Sequence, residues 1–381
     1  MKKLLYILLL SILCTSILTG CRDESLQQSL TETDSNKLTV VATLFPQYDF
    51  AREIAGDKAD ILLLLPPGME SHSFEPTPGD IITIHNSDVF LYTGDEMEPW
   101  VAGIVDNISH DDEESEDGAS HTHSVENQHP IVADLSLGIE LAKEEHNHVH
   151  EDEPCENESH NHDHDTVDCT AEDYDHVDKN CTAEDHDHDT DSVMKEALIA
   201  GEHSHDYNPH IWTSPVLAMT MVENIIDAFV NADPDNAAYY EANGAAYLEK
   251  LHDLDHHFRE IVEAADFNTV YVGSKFSLLY FMEEYGLHYV AAYDSCEEEA
   301  EPSIRRVVSM IKSMKESGIT AVYYQELIEP YVAETIAEAA GGETYLFHSC
   351  HNVSRDDLES GVTYLSLMEQ NAANLEKGLN R

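Results

Sequence analysis

The sequence predicts an α/β protein of two lobes, each a mainly parallel sheet with flanking helices, joined by one long backbone helix. Strand-like and helix-like segments alternate in both halves of the 381-residue chain, which is typical of parallel sheets covered by helices. Between the halves, residues 233–265 have a continuous helical pattern. We expect residues 37–232 to form the first lobe and residues 266–381 the second.

The first lobe is predicted from short apolar runs, each followed by a segment with helical spacing. Pro66-Pro67-Gly68 marks the end of one such run, because Pro and Gly interrupt regular structure. The predicted strands are Lys37 to Thr43, Asp60 to Leu65 and Val89 to Thr93, and the predicted helices are Gln47 to Ala55, Asp80 to His85 and Pro99 to Ile108.

The second lobe repeats this alternation. Its strands are predicted at Val270 to Gly273, Tyr289 to Ala292, Ala321 to Tyr324 and Thr344 to Phe347. Its helices are predicted at Phe276 to Tyr285, Ile304 to Ser317, Tyr331 to Ala340 and Asp357 to Leu379.

The linking helix has a recognisable start. Asp233 is a good N-cap and Pro234 suits a first helical turn. From Asn236 to Ala265 the chain contains neither Gly nor Pro except Gly244, which predicts a rod of roughly 45 Å. A connector of this kind resists hinge bending between the lobes.

The first 20 residues have the pattern of a signal peptide. Lys2 and Lys3 precede an apolar run from Leu4 to Leu18, which is short for a membrane helix. The sequence Leu18-Thr19-Gly20-Cys21 resembles a bacterial lipobox. The resemblance implies cleavage before Cys21, a lipid anchor on its thiol and an extracytoplasmic, membrane-anchored protein. Residues 21–36 then form a polar tether.

The charge is strongly negative and uneven. The chain has 76 Asp and Glu against 19 Lys and Arg, a formal charge of −57, which excludes nucleic acid as a partner because phosphates could not be neutralised. Two acidic inserts, Ser109 to Gln128 and Glu144 to Asn208, contain 14 of the 24 histidines. We interpret them as disordered segments that capture metal ions through many weak sites; the alternative is a solvated acidic loop.

Two histidines outside these inserts lie in stiff, proline-rich surroundings. His72 is within Pro66 to Pro78, and His210 is within Asn208 to Pro215. Proline restricts the backbone, which helps to hold an imidazole ready for a metal ion. A lone histidine is more often a surface or capping residue, so the flanking motifs carry this hypothesis.

Those motifs give the chain a family resemblance. PPGMESHSFEPTP, TGDEMEPW, NPHIWTSP, DPDNAAYY and GVTYLSLMEQN together are similar to the zinc-binding subunit of bacterial zinc-uptake ABC transporters, the metal branch of the cluster A-I solute-binding proteins. The resemblance implies two α/β lobes joined by a long helix, a Zn²⁺ site in the cleft, and a membrane permease with its ATPase as partners.

Carried over by motif, the resemblance makes His72 and His210 the first two metal ligands. The family's third ligand falls at or next to Lys275, which has no lone pair for a metal when protonated. The family's fourth ligand falls near Phe347 to Asn352, so His351 is expected as the third ligand of this chain. The substitutes are His348, Cys296 and Glu297 to Glu299.

Three imidazoles favour zinc as the bound metal, and manganese, which prefers oxygen ligands, is the second choice. Outside the inserts Cys296 and Cys350 can pair in an oxidising compartment. Cys155, Cys169 and Cys181 lie in the second insert and can instead bind metal. A zinc hydrolase is disfavoured because no His-Glu-x-x-His or Gly-x-Ser-x-Gly motif is found. A surface zinc store or adhesin without a transport role is the other alternative.

Overall fold

The computed structural model describes residues 37–105, 129–143, 207–293 and 302–380. The signal peptide, the tether, nearly all of both acidic inserts and Cys296 with Glu297 to Glu299 lie outside these ranges. Within the described ranges, no helix has both the length and the apolar character that a membrane span requires.

Eight strands form two four-stranded parallel sheets, one in each lobe. The spatial order is β2-β1-β3-β4 in the first sheet and β6-β5-β7-β8 in the second. Both sheets therefore have the same topology, as the repeated alternation predicted. The strands are β1 (Leu38–Ala42), β2 (Ala59–Leu63), β3 (Val89–Tyr92), β4 (Ile131–Asp134), β5 (Thr269–Val272), β6 (His288–Ala291), β7 (Ala321–Tyr324) and β8 (Glu343–Leu346).

Nine α-helices of six or more residues flank these sheets in the described part of the chain. They are α1 (Phe45–Ala55), α2 (Pro78–His85), α3 (Pro215–Ala232), α4 (Ala237–Ala264), α5 (Leu279–Glu284), α6 (Ile304–Ser317), α7 (Tyr331–Ala340), α8 (Arg355–Ser360) and α9 (Tyr364–Leu379). Residues 101–105 are also helical, at the edge of the described range. The predicted fold class is confirmed.

Helix α4 is the predicted linking helix. Its 28 residues span about 42 Å, and it packs against α1 and α3 of the first lobe and against α9 of the second. The apolar positions Tyr247, Leu251, Leu254 and Phe258 recur at helical spacing and are all buried. One apolar core therefore extends through both lobes along this helix.

The start of the linking helix differs from the prediction. Pro234–Asn236 form a separate 3-10 turn before α4 begins. The Asp233 carboxylate accepts hydrogen bonds from the side chains of Asn236, at 2.6 Å, and Tyr240, at 2.8 Å. Asp233 is therefore not the N-cap of α4. It orients the chain before the helix through hydrogen bonds with two side chains.

The predicted helix from Asp357 to Leu379 is wrong as a single element. It is two helices, because Gly361 ends α8 in the left-handed conformation with φ of 79°, which glycine adopts without strain. Thr363 then caps α9 by accepting a hydrogen bond from the Ser366 backbone. Two further elements, β4 and α3, lie where no strand or helix was predicted.

The thiol of Cys350 is free and fully buried. Its predicted pairing partner, Cys296, lies outside the described residues. Cys350 itself has a φ of 62°, which is uncommon for a residue with a side chain and turns the chain sharply beside His351.

Candidate metal centre

The site is built from loops that follow strands β2, β4 and β8. Loops at the carboxyl ends of parallel strands are where open α/β sheets place ligands. His72 lies in the β2–α2 loop, His210 in the segment between β4 and α3, and His351 in the β8–α8 loop. The first two come from the first lobe and the third from the second, so the site lies between the lobes.

The backbone of the His72 loop is hydrogen-bonded to the second lobe. The side-chain amide of Asn352 donates hydrogen bonds to the carbonyls of Pro66, at 2.7 Å, and Met69, at 3.0 Å. The Gly68 backbone N–H donates to the Val353 carbonyl at 2.9 Å. These bonds hold the two loops that carry His72 and His351 against each other.

His210 is fully buried and its ring orientation is fixed by Asn208. The Asn208 Oδ1 lies 2.9 Å from Nδ1 of His210 and also accepts the His210 backbone N–H at 3.1 Å. Because an amide oxygen only accepts, Nδ1 carries the proton and the lone pair is on Nε2. The Tyr280 hydroxyl donates a hydrogen bond to the backbone carbonyl of Asn208 at 2.6 Å.

His351 is held at Nδ1 by the hydroxyl of Ser349, two residues earlier in the chain. Its Nε2 is buried and has no hydrogen-bond partner among the residues that the structure describes. Trp212 packs edge-on against the ring, with centroids 5.1 Å apart, and its indole N–H donates to the Ser349 carbonyl at 2.8 Å. A buried nitrogen lone pair that accepts no hydrogen bond costs free energy. A metal ion bound to that nitrogen would remove the cost.

The three imidazoles converge on one point. One potential ligand atom from each of His72, His210 and His351 lies within 4.8 Å of the other two. The Nε2 atoms of His72 and His210 are 3.3 Å apart, which matches the roughly 3.3 Å between two nitrogens bound to one tetrahedral Zn²⁺ at 2.0–2.1 Å. A tetrahedral ion held by three imidazoles would take water or another donor as its fourth ligand.

Burial keeps the His351 imidazole neutral. Burial, followed by electrostatic interactions with His72 and His348, lowers the pKa of His351 well below 6.5. The imidazole is therefore neutral at neutral pH, with its lone pair available.

The other residues considered from the sequence are placed as follows. His348 is not part of the cluster, and its Nδ1 accepts the Cys350 backbone N–H at 2.9 Å. Lys275 is half-buried in the β5–α5 loop. Cys296 and Glu297 to Glu299 lie outside the described residues.

Three supporting residues were missed from the sequence: Asn208, Ser349 and Glu326. The Glu326 carboxylate binds Ser349, at 2.7 Å to its backbone N–H. A sequence signal existed for the other two. In both Asn208-Pro209-His210 and Ser349-Cys350-His351, a polar side chain two residues before the histidine bonds Nδ1. The predicted second insert also included Asn208, whereas the described fold resumes at Tyr207.

Comparison with known proteins places the chain in a family. The family described as "ZnuA: Zinc-uptake complex component A periplasmic" matches residues 40–378. The chain is 29% identical over 369 residues to the high-affinity zinc uptake system protein ZnuA of Bacillus subtilis, covering 96% of this chain and 95% of that protein. It is 27% identical over 377 residues to the zinc-binding lipoprotein AdcA of Streptococcus pneumoniae, covering 99% of this chain but 61% of that longer protein.

Solved structures agree with this assignment. The metal-dependent lipoprotein YcdH of Bacillus subtilis superposes with a TM-score of 0.63 at 26% identity, covering 90% of this chain and 99% of that one. The Zn(II)-bound ZnuA-like domain of Streptococcus pneumoniae AdcA has the same fold, with a TM-score of 0.62 at 24% identity and 91% and 100% coverage. The chain thus belongs to the ZnuA family of zinc-binding components of zinc-uptake ABC transporters, which are solute-binding proteins and not enzymes.

Proposed function

We propose that His72, His210 and His351 hold Zn²⁺ between the lobes as the cargo of this transport component. The observation that carries the proposal is the convergence of three imidazoles, one of which has a buried Nε2 without a hydrogen-bond partner in the described ranges of the chain. Neutral imidazoles suit zinc better than manganese, which prefers oxygen donors. His351 takes the role that the family resemblance assigned to an acidic residue.

Titration of the metal-free protein with Zn²⁺ and with Mn²⁺ tests this proposal. His351→Ala should lower zinc affinity by at least about 100-fold, since one of three protein ligands is lost and the loss of a mere hydrogen-bond partner of a ligand typically costs about 10–100-fold. His288→Ala is the matched control, because His288 is exposed on β6. Unchanged affinity in His351→Ala would refute the assignment, and tighter binding of Mn²⁺ would refute the choice of metal.

We further propose that the protein is anchored outside the membrane by lipid on Cys21 and passes zinc to a membrane permease driven by an ATPase. The lipobox-like Leu18-Thr19-Gly20-Cys21 supports the anchor, and two of the relatives are described as lipoproteins. Growth of a deletion strain in zinc-poor medium, complemented with wild type or His351→Ala, tests the transport role. A deletion strain that grows in zinc-poor medium as well as the strain complemented with wild type would favour a zinc store or adhesin instead.

A further inference from the structure

Glu326 is a buried carboxylate next to the metal centre but outside the histidine cluster. It lies in the β7–α7 loop, and its side chain is 9% exposed. Both of its oxygens are bound by one residue: Oε2 accepts the Ser349 backbone N–H at 2.7 Å, and Oε1 accepts the Ser349 hydroxyl at 2.5 Å. Glu326 therefore joins its own loop to the loop that carries His351.

No cation neutralises this carboxylate among the described residues. His348 Nδ1 is 3.6 Å from Oε1, but the same nitrogen accepts the Cys350 backbone N–H. A nitrogen that accepts a hydrogen bond has no proton to donate to the carboxylate. No lysine or arginine in the described part of the chain forms an ion pair with Glu326. Among the described residues, the hydrogen bonds to Glu326 come from Ser349.

The hydroxyl of Ser349 lies between Glu326 and His351. Its oxygen is 2.5 Å from Oε1 of Glu326 and 2.5 Å from Nδ1 of His351. A carboxylate only accepts hydrogen bonds, and 2.5 Å is within the range of a charge-assisted O–H···O⁻ bond. The single hydroxyl proton therefore points to Glu326, and the Ser349 oxygen accepts a proton from Nδ1 of His351.

This assignment decides which nitrogen of His351 can bind a metal. With the proton on Nδ1, the lone pair is on Nε2, the buried atom for which the described part of the chain offers no hydrogen-bond partner. Without the carboxylate, the Ser349 hydroxyl can donate to Nδ1 instead. The imidazole proton would then move to Nε2 and face the metal position.

We propose that Glu326, acting through Ser349, is a positioning residue that fixes the tautomer and ring orientation of His351 for metal binding. The proposal rests on the proposed role of His351 as a ligand. Glu326 would thus contribute to zinc affinity without touching the metal. Mutating a hydrogen-bond partner of a metal-bound histidine typically lowers metal affinity by about 10–100-fold.

Zinc titration of Glu326→Gln and Ser349→Ala tests the proposal in the full-length protein. Each substitution should weaken zinc binding by about 10–100-fold. The double variant should be no weaker than Ser349→Ala, because Glu326 acts only through that hydroxyl. Glu329→Gln is the matched control: it makes the same charge change in the same loop, where the side chain is exposed, and should retain wild-type affinity.

A second readout separates positioning from general support of the fold. ¹⁵N NMR of the metal-free protein, with His351 assigned by comparison with His351→Ala, should show the proton on Nδ1 in the wild type and a shift toward Nε2 in Glu326→Gln. If Glu326→Gln does not fold, Ser349→Ala supplies both the affinity and the NMR test.

Three results would overturn the proposal: wild-type affinity in both single variants, additive losses in the double variant, or an unchanged tautomer in Glu326→Gln. Failure of the proposed function is distinguishable, because His351→Ala would then also leave zinc affinity unchanged.

Discussion

Glu98 is a buried acid whose ionisation should lower the stability of the first lobe at neutral pH. It is 2% exposed. Its carboxyl group contacts Thr43 and Thr93, which directly follow strands β1 and β3, and Gln47 of helix α1. Burial raises its pKa to about 7 from an ordinary 4.5, although hydrogen bonds from those three residues oppose the rise.

The hydrogen bonds around Glu98 agree with a protonated side chain. The Thr43 hydroxyl contacts both Oε1 of Glu98 and Oε1 of Gln47, yet it has one proton. The Gln47 oxygen is an acceptor, and it also binds the Leu44 backbone N–H at 2.8 Å. A proton on Glu98 can donate to Thr43, which leaves the Thr43 proton for Gln47 and pairs every group.

Replacing Glu98 with Gln should therefore stabilise the protein at high pH and not at low pH. The raised pKa means that the folded state favours the neutral acid, so its stabilising contribution is complete below pH 4.5 and is lost as pH rises through 7. About 2.5 pKa units at 1.36 kcal/mol each give up to about 3 kcal/mol. Glutamine imitates the neutral acid, so Glu98→Gln should be more stable than wild type by up to that amount at pH 8 and equal to it near pH 4.5.

Urea unfolding of the metal-free protein from pH 4.5 to 8 measures this difference. Asp49, whose pKa burial raises to about 6, adds a loss of stability between about pH 4 and 6, but it does so in both proteins and cancels in the comparison. Glu249→Gln, on the exposed face of α4, is the control for loss of a surface charge. A difference between wild type and Glu98→Gln that does not change with pH would refute the reasoning.

Three further predictions concern the metal site and the linking helix. Zinc affinity should fall between pH 7.5 and 5.5 because protons compete with zinc for imidazole. His351 should contribute little to this fall, since its pKa is well below 6.5. Equal zinc affinities at the two pH values, measured by calorimetry, would contradict the prediction. Deleting residues 144–206, which spares Asn208, should lower zinc stoichiometry and leave one tight site; loss of that site would place the main ligands in the insert. Gly244→Ala should lower the free energy of unfolding by about 1–2 kcal/mol, because a Cβ there would lie 2.2 Å from Ile226 Cδ1. The cost of this overpacking exceeds the roughly 1 kcal/mol gain in helix propensity. If urea unfolding shows that the variant is more stable than wild type, Ile226 moves aside at no cost and the prediction is wrong.

Much of the fold follows from local sequence pattern. The central strands are apolar runs, and β3 is buried along its whole length. Helix α6, from Ile304 to Ser317, has the limits that the sequence predicts, and Gly318 ends it in a left-handed conformation. Such patterns involve only a few neighbouring residues, so they can be recognised without knowledge of tertiary contacts.

The missed elements lacked such local signals or had signals that were not used. Strand β4 has four half-buried residues at the edge of its sheet, and pairing with β3 rather than composition makes it a strand. Helix α3 did have a signal, since Ser214 accepts a hydrogen bond from the Leu217 backbone and Pro215 is the first helical residue.

The candidate site could be predicted only in part. His72 and His210 lie in distinctive motifs, and His351 followed from the resemblance together with the departure at Lys275. Glu326 and Ser349 are 23 residues apart in sequence, and their contact depends on how β7 and β8 align. No local pattern contains that information, so a carboxylate that acts through a serine on a histidine becomes visible only in the folded chain.

The most direct test of the account is the position of the metal in a zinc-loaded crystal, located by anomalous scattering at the zinc edge. The account predicts one strong peak between the lobes, with Nε2 of His72, His210 and His351 each about 2.0–2.1 Å away. A fully occupied zinc ion held elsewhere, or one between the lobes without His351 among its ligands, would contradict it.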